Sequence, residues 1–205
     1  MGRGRFIVFE GCDGSGKSTQ ARLLAASLDA RLTREPGDTP AGVRIRSLLL
    51  DHSPEGASLN IRTEALLMAA DRAQHVAEVI EPTLANGRDV VCDRYLASSV
   101  AYQGYGRGLD PSEIAQLSGW ATQGLLPDLV VLLRVPVDVV LGRLRAGGGL
   151  DRLESEGRAF FERVSRGFDQ QAASDPARWL VVDGTGPVDA IASAVSRAVA
   201  SLSIS

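Results

Sequence analysis

The feature that most constrains this chain is a glycine-rich stretch, Gly11–Ser18, which follows the pattern G-x-x-x-x-G-K-[ST]. An apolar strand pattern, Phe6–Glu10, precedes it, and an amphipathic helical pattern, Ser18–Leu28, continues from it. A glycine-rich turn between a strand and a helix points successive backbone N–H groups into a concave nest for phosphate. The N-terminus of the helix favours the same anions. The stretch therefore predicts a nucleotide-phosphate site within an α/β fold.

Lysine usage supports this interpretation. The chain has 21 arginines and a single lysine, Lys17, which stands in the phosphate loop. The loop requires a compact ammonium group on a flexible stem, and the planar guanidinium of arginine does not replace it. We expect Lys17 to reach the β- and γ-phosphates of ATP, and the Ser18 hydroxyl to bind Mg²⁺. The predicted ATP-binding residues of the loop are Gly11, Cys12, Asp13, Gly14, Ser15, Gly16, Lys17, Ser18 and Thr19.

The rest of the chain alternates between short apolar runs and longer helical patterns, which is typical of a parallel sheet with crossover helices. Five strands are predicted at Phe6–Glu10, Ala30–Thr33, Asp89–Cys92, Leu129–Val135 and Trp179–Asp183. The helices are predicted at Ser18–Leu28, Val43–Leu50, Ile61–Ile80, Ser112–Gln123, Val137–Arg145, Ala159–Ala173 and Val188–Leu202. Pro82 is expected to end or kink the third of these. The pattern predicts a three-layer α/β/α fold with a five-stranded parallel sheet.

Length and composition limit the possible function classes. A chain of 205 residues fits one domain, residues 1–205. Its net charge of −3 argues against a nucleic-acid polymer as partner, and no apolar run approaches the roughly 20 residues that a membrane helix needs. The first ten residues do not resemble a secretory signal. Two cysteines, Cys12 and Cys92, predict reduced, buried thiols in a cytoplasmic protein.

A phosphate loop does not by itself identify a reaction, since switches, motors and kinases share it. An Asn-Lys-x-Asp element for guanine is excluded, because the chain has no second lysine. The third predicted strand leads into Asp93 and Arg94. An aspartate at the carboxyl end of a parallel strand lies where ligands bind, so Asp93 is a predicted Mg²⁺ ligand and Arg94 a predicted phosphate contact. The alternative is a surface ion pair that caps the strand.

Several further motifs, taken in order, closely resemble those of thymidylate kinase over about residues 6–191. They are Phe9-Glu10-Gly11, Thr33-Arg34-Glu35-Pro36-Gly37, Ala69-Ala70-Asp71-Arg72-Ala73-Gln74, Asp93-Arg94-Tyr95, Ser98-Ser99-Val100-Ala101-Tyr102-Gln103-Gly104 and Leu150-Asp151-Arg152. The resemblance implies transfer of the γ-phosphoryl group of ATP to dTMP, giving dTDP and ADP, in dTTP biosynthesis. It also implies a homodimer, to which the apolar stretch around Ala65–Ala73 could contribute.

The resemblance assigns the acceptor phosphate and sugar to four residues. Arg34 and Arg94 look like the clamps on the dTMP phosphate, since guanidinium groups bind phosphate oxygens in pairs. Tyr102 resembles the ring that disfavours a ribose 2′-hydroxyl, and Asp13 resembles the carboxylate near the 3′-hydroxyl. For Arg34 a solvated turn residue is the competing interpretation, and for Tyr102 it is core packing.

The resemblance also implies contacts to the thymine base. Arg72 looks like the arginine that hydrogen-bonds the base, with an exposed salt bridge on a helix as the alternative. Ser99 and Gln103 stand where relatives contact the base edge. Met68 stands where many relatives have a stacking phenylalanine, which leaves the preference for thymine over uracil open.

A lid is expected at about residues 143–158, a segment rich in arginine around Gly147-Gly148-Gly149. Because Gly14 occupies the loop position where some relatives have arginine, the chain resembles the bacterial type whose arginines come from the lid. Arg152 is the first candidate to reach the transferred phosphoryl group and Arg145 the second, whereas Arg143 is expected against the adenine. The predicted catalytic set therefore consists of Lys17, Asp93, Arg94, Arg152 and Arg145. A charged surface helix is the alternative.

Two other functions stay open at this stage. One is a kinase for another nucleotide or deoxynucleoside with the same fold, and the other is a phosphate-loop switch that transfers nothing to a small acceptor. A general base is not required of a dTMP kinase, because a phosphomonoester with a second pKa of about 6 is already ionised at neutral pH. Accordingly, His52 and His75 are predicted to be solvent-facing helix residues.

Overall fold

The computed structural model describes residues 2–50, 59–146 and 152–202. Five strands form one parallel sheet in the order β2-β3-β1-β4-β5. They are β1 (Phe6–Glu10), β2 (Arg31–Arg34), β3 (Val90–Asp93), β4 (Leu129–Arg134) and β5 (Trp179–Asp183). The predicted five-stranded parallel sheet is confirmed, with β1 and β5 at the predicted bounds and the other strands differing by one residue at one or both ends.

Nine α-helices lie in the described parts of the chain. They are α1 (Lys17–Leu28), α2 (Pro40–Leu50), α3 (Ile61–His75), α4 (Glu81–Ala85), α5 (Leu96–Ser99), α6 (Pro111–Ala121), α7 (Val137–Ala146), α8 (Arg158–Ser174) and α9 (Val188–Ala200). Two π-helical segments extend α3 and α5, at Val76–Ile80 and Val100–Gly106. The second segment and α5 were not among the predicted helices.

The chain stays helical past the boundary predicted at Ile80. The π-helical segment Val76–Ile80 leads directly into α4, and Pro82 stands in the first turn of that helix. Proline is tolerated there because the first N–H groups of a helix need no intrahelical acceptor. The helix therefore does not end at Ile80, and the chain changes there from a π-helical to an α-helical conformation.

The sheet separates two apolar cores, because alternate side chains of each strand point to opposite faces. Ile7 and Phe9 of β1 pack in a cluster that includes Leu24 of α1 and Val195 of α9. Phe6, its neighbour on β1, packs in a different cluster with residues of the π-helical segment Val76–Ile80 and α4. Helices thus cover both faces, which confirms the three-layer arrangement.

The carboxyl ends of β1, β2 and β3 meet at one edge of the sheet, where ligands bind in folds of this kind. Asp93, the last residue of β3, lies in register with Phe9 of β1 and Arg34 of β2. Backbone hydrogen bonds continue past the strand ends, from Arg94 N to Phe9 O at 2.9 Å and from Glu35 N to Asp93 O at 3.0 Å. Among the described helices, none is long and apolar enough to cross a bilayer.

Candidate active site

The glycine-rich loop joins β1 to α1, as its sequence predicts. Gly11 and Gly16 have positive φ angles of 137° and 97°. A side chain at Gly11 would place its Cβ 2.6 Å from the carbonyl oxygen of Leu133, so only glycine fits this position. Gly16 directly precedes α1, and the helix therefore presents its N-terminus to the loop.

Lys17 lies inside this loop with 5% of its surface exposed, and its Nζ donates to the Cys12 carbonyl at 2.8 Å. Burial and the nearby Arg94 charge lower the pKa of Lys17, whereas Asp13 and Asp93 act in the opposite direction. A buried ammonium beside another cation gains stability when an anion binds next to it. The loop is thus electrostatically prepared for phosphate.

Ser18 and Asp93 form a pair of oxygen ligands at the mouth of the loop. The Ser18 hydroxyl donates to Asp93 Oδ2 at 2.5 Å, while the buried Asp93 Oδ1 has no hydrogen-bond partner within the described residues. The described residues contain no cluster of three or more His, Cys, Asp or Glu that could hold a metal. The pair therefore fits a hard cation that takes its other ligands from phosphate and water, as Mg²⁺ does.

Arg94 follows β3 in a left-handed backbone conformation, with φ 74°. Its NH2 group donates to Asp13 Oδ1 at 2.5 Å, and its NH1 group donates to Ser98 Oγ at 2.9 Å and to Gly11 O at 3.2 Å. The guanidinium therefore spans the phosphate loop and the start of α5. Arg94 therefore contacts the phosphate loop on one side and lines a cavity on the other.

Tyr102 completes the cluster around Asp13. Its hydroxyl donates to Asp13 Oδ2 at 2.7 Å, and the Arg94 guanidinium carbon lies 5.0 Å from the centre of its ring. Burial by itself would raise the pKa of Asp13, but the charges of Arg94 and Lys17 lower it to about 2. Asp13 is therefore an acceptor-only carboxylate throughout the neutral pH range.

A cavity that is partly open to solvent lies beside this cluster. Seven of the eight residues predicted to bind the acceptor line it: Asp13, Met68, Arg72, Arg94, Ser99, Tyr102 and Gln103. The eighth, Arg34, is exposed at the carboxyl end of β2 and is not in its wall. The structure thus brings most of the predicted set together.

Arg72, in the wall of this cavity, has 2% of its surface exposed. Its Nε donates to Glu35 Oε2 at 2.8 Å, and its NH2 group donates to Ser99 Oγ at 3.0 Å and to Tyr95 O at 3.2 Å. Its NH1 group donates to Ser118 Oγ at 3.3 Å. The alternative of an exposed salt bridge is therefore wrong, because α3 turns this side chain into the protein.

Arg152, the first candidate of the lid, directly precedes Leu153, which lines the cavity. Its NH2 group donates to Glu64 Oε2 at 2.5 Å and its Nε to Leu49 O at 2.8 Å. Glu64 is fully buried and also accepts from Gln103 Nε2 at 2.9 Å and from Arg107 Nε at 3.2 Å. In this conformation Arg152 belongs to the acceptor side.

The other two arginines of the predicted lid lie on α7. Arg143 donates to Gly14 O at 2.9 Å and to Gly184 O at 3.4 Å, so it borders the phosphate loop from the β5 side. Arg145 is exposed. The glycines at 147–149 and the residues at 150 and 151 lie outside the described residues.

The family model for thymidylate kinase matches residues 9–195. The chain belongs to the thymidylate kinase family. It is 48% identical to a thymidylate kinase of Cutibacterium acnes, with 97% of this chain and 98% of that protein covered. It is 50% identical to a thymidylate kinase of Pseudomonas savastanoi pv. phaseolicola, with 90% of each covered. A crystal structure of thymidylate kinase from Ehrlichia chaffeensis superposes with a TM-score of 0.77 at 32% identity, covering 96% of this chain and 99% of that one.

The thymidylate kinase family predicted from the motifs is thus confirmed. The prediction for His75 is wrong, because this residue is fully buried. Its Nδ1 lies 2.9 Å from Glu35 Oε1 and its Nε2 lies 2.6 Å from Thr33 Oγ1. The last turn of α3 faces β2 and the turn after it, where the carboxylate gives the imidazole a polar partner. His52 lies outside the described residues.

Sequence reasoning assigned no role to three buried carboxyl groups that hold this thymidylate kinase site together. Glu10 accepts from Tyr95 N and Ser98 N, Glu35 holds Arg72, and Glu64 holds Arg152. Glu10 is the last residue of β1, and Glu35 directly follows β2. A charged residue at that place in an α/β sequence is a usable signal, since the carboxyl edge of the sheet is where such groups find partners. Glu64 offers no such signal.

Proposed function

We propose that this chain transfers the γ-phosphoryl group of ATP to dTMP, giving dTDP and ADP. The observation that carries the proposal is the position of Arg94, which lies between the phosphate loop and a cavity lined by the predicted acceptor residues. One side of this guanidinium faces a nest for the donor phosphates, and the other faces room for a second nucleotide. The thymidylate kinase relatives support dTMP as that nucleotide.

In the proposed reaction an oxygen of the dTMP phosphate attacks the γ-phosphorus of ATP. A bond forms between these two atoms, and the bond from the γ-phosphorus to the β–γ bridging oxygen breaks, so that ADP leaves with the electron pair. The attacking phosphate is ionised at neutral pH, and no general base is required. The protein must hold two anions in line and neutralise the charge between them, which suits Lys17 and Arg94.

For Mg²⁺ we propose Ser18 and Asp93 as the protein ligands. The unpartnered Asp93 Oδ1 supports this assignment, because a buried carboxylate oxygen without a hydrogen bond is costly unless a cation binds it. When bound, Mg²⁺ neutralises charge on the β- and γ-phosphates of ATP. Ser18 and Asp93 would hold the ion, and the hydrogen bond from Ser18 Oγ to Asp93 Oδ2 keeps the two side chains together.

We assign the base of dTMP to the part of the cavity lined by Met68, Arg72, Ser99 and Gln103. Tyr102 and Asp13 are assigned to the sugar. Arg94 and Arg34 are assigned to the acceptor phosphate. Arg34 stands opposite Asp93 in the sheet register and is exposed, so it would turn towards the phosphate when the ligand binds.

We further propose that residues 1–205 form one nucleoside monophosphate kinase domain with a lid at about 143–158. Arg152 or Arg145 would reach the transferred phosphoryl group when the lid closes, and Arg143 would lie against the adenine, which its contacts with Gly14 and Gly184 support. Closure moves Arg152 away from Glu64.

A homodimer is proposed as the assembly. The exposed apolar side chains of two mutually packed helices support it: Leu66 of α3 is 58% exposed and Trp120 of α6 is 79% exposed. Large apolar side chains exposed to this extent favour an interface between proteins. A cytoplasmic location is proposed from the two cysteines, Cys12 and Cys92, which are both free and buried.

The test is ADP release measured with dTMP, dUMP, dCMP, dGMP, AMP or thymidine as acceptor, in the presence of Mg²⁺ and ATP. We expect the highest kcat/KM with dTMP. Lys17→Met, checked for native folding by circular dichroism, should lose dTMP-dependent turnover. A higher kcat/KM for another acceptor would contradict the proposed substrate. Slow hydrolysis that no monophosphate stimulates would instead indicate a nucleotide switch.

A further inference from the structure

A buried ionic cluster of Glu35, Arg72 and His75 borders the cavity, with Glu35 and Arg72 in its wall. Glu35 is its centre: Oε2 accepts from Arg72 Nε at 2.8 Å, and Oε1 lies 2.9 Å from His75 Nδ1. All three side chains are buried, with exposed fractions of 4% or less. The proposed reaction gives Glu35 and His75 no chemical step, so their burial needs another explanation.

The hydrogen bonds around His75 define where its protons are. Thr33 Oγ1 donates to the Asp38 carboxylate at 2.6 Å, and Arg31 NH2 donates to the same oxygen, Asp38 Oδ2, at 2.8 Å. A hydroxyl has one proton, so Thr33 can only accept from His75 Nε2, 2.6 Å away. The Nε2 atom of His75 is therefore protonated.

The contact between His75 Nδ1 and Glu35 Oε1 then needs a proton of its own. A neutral imidazole with its proton on Nε2 and an ionised carboxylate would place two lone pairs against each other at 2.9 Å. The proton belongs on the imidazole, because Glu35 also accepts a charge-assisted bond from Arg72 and that bond is strongest when the carboxylate is ionised. These contacts are satisfied together when both ring nitrogens of His75 donate, one to Thr33 and one to Glu35.

Other ionisable groups lie close to this cluster. Asp71, next to Arg72 on α3, accepts from Gly37 N at 3.0 Å, and burial followed by the Glu35 charge raises the pKa of Asp71 to about 6. Cys92 on β3 has its pKa raised well above the ordinary range by burial and by the same Glu35 charge. Neither group supplies the proton that the contact at Nδ1 requires, since neither bonds to His75 among the described contacts.

We propose that His75 is a positioning residue for recognition of the acceptor base. As a donor at Nδ1 it holds Glu35, and Glu35 holds the Nε side of Arg72, so that the other side of that guanidinium keeps its place in the cavity wall. The proposal rests on the proposed function, because it takes the ligand of the cavity to be the base of dTMP.

The hydrogen bonds of Arg72 show why its orientation matters. A guanidinium has five N–H groups, and four bonds go to Glu35, Ser99, Tyr95 and Ser118. Among the described residues one N–H, on NH1, is then without a partner, and we assign it to a carbonyl of the base. If the guanidinium rotated, the N–H group that faced the base would be one that already bonds to another residue of the protein. Loss of the Glu35 contact should therefore weaken base recognition more than phosphoryl transfer.

The kinetic test compares His75→Leu with His75→Gln, whose side-chain amide can still donate to Glu35. For His75→Leu we expect KM for dTMP to rise about tenfold, while kcat and KM for ATP stay within about twofold. His75→Gln should lie between this variant and the wild type. A lower kcat with unchanged KM for dTMP, in protein that is folded, would show a purely structural role and overturn the proposal.

The protonation is tested in the wild-type chain, so that the test does not depend on how the variants fold. The chain has two histidines, and ¹⁵N-histidine labelling with His52→Asn for assignment isolates the signals of His75. In the folded chain we expect both ring nitrogens to give the shifts and proton couplings of N–H donors. A spectrum of either neutral tautomer would overturn the assignment.

A third variant separates this inference from the function on which it rests. Arg72→Lys removes the planar fork but keeps a charge beside Glu35, and it should raise KM for dTMP at least as much as His75→Leu. If Arg72→Lys leaves that KM unchanged, the assignment of the base to this cavity is wrong. If Arg72→Lys raises it and His75→Leu does not, the base site stands and the positioning role of His75 is wrong.

Discussion

Replacement of Glu10 by glutamine should change how the stability of this protein depends on pH. Glu10 ends β1 with its side chain fully buried, and it accepts from Tyr95 N at 3.0 Å, Ser98 N at 3.1 Å and Ser98 Oγ at 2.6 Å. Ser98 Oγ in turn accepts from Arg94. The carboxyl group thus connects the strand before the phosphate loop to the segment that carries the predicted phosphate clamp.

The size of the effect follows from the pKa of this group. Burial raises the pKa of Glu10 from 4.5 to about 7, against the opposing effects of the Ser98 hydrogen bond and the Arg94 charge. The folded protein therefore holds a proton that the unfolded chain loses above pH 4.5, and stability falls as the pH rises through 7. Between pH 5 and pH 8 this one group lowers the free energy of unfolding by roughly 2 to 3 kcal/mol.

Urea denaturation at pH 5, 6, 7 and 8 measures this directly for the wild type, Glu10→Gln and Glu113→Gln. Glutamine resembles the protonated acid, so Glu10→Gln should lose less stability with rising pH, and the difference from wild type should grow by roughly 2 to 3 kcal/mol across the range. Glu113 is exposed on α6, and its variant should follow the wild type. A constant difference between wild type and Glu10→Gln would refute the reasoning.

Three further predictions concern the site itself. Arg152→Ala should lower kcat by roughly a thousandfold with little change in KM for ATP, as loss of an arginine finger does; a loss below tenfold would transfer the role to Arg145 or Arg143. Asp93→Asn should raise the Mg²⁺ concentration at half-maximal rate and lower kcat by about a hundredfold, and unchanged Mg²⁺ dependence would contradict its assignment as a ligand. Burial raises the pKa of Cys12 to about 11, so iodoacetamide at pH 8 should alkylate it about a hundredfold more slowly in native than in unfolded protein, as mass spectrometry would show.

Local sequence was sufficient for the phosphate loop and for the strands around it. The loop consists of consecutive residues whose backbone forms the binding nest, so Gly11–Ser18 contains nearly all the information needed. Strand ends were less well defined: β2 was predicted to end at Thr33 and ends at Arg34, because its pairing with Asp93 of β3 extends it. Register depends on a neighbour that the local pattern does not show.

The helix that carries much of the acceptor site was not predicted from the pattern. Residues 97–104 are all buried, across α5 and the π-helical segment Val100–Gly106. A helix that is enclosed on every side has no polar face, so it lacks the 3.6-residue alternation that identifies an amphipathic helix. Tyr102 and Gln103 were found only through their resemblance to family motifs.

The sequence by itself determined the layer order of the fold, the place of the donor phosphates and the family. Only the tertiary structure decided which charges are buried and how they are paired. His75 shows the reason: its partners, Thr33 and Glu35, stand about forty positions earlier in the chain, and they meet the imidazole only when α3 packs against β2. A buried charge is stable through its partners, and those partners become neighbours only on folding.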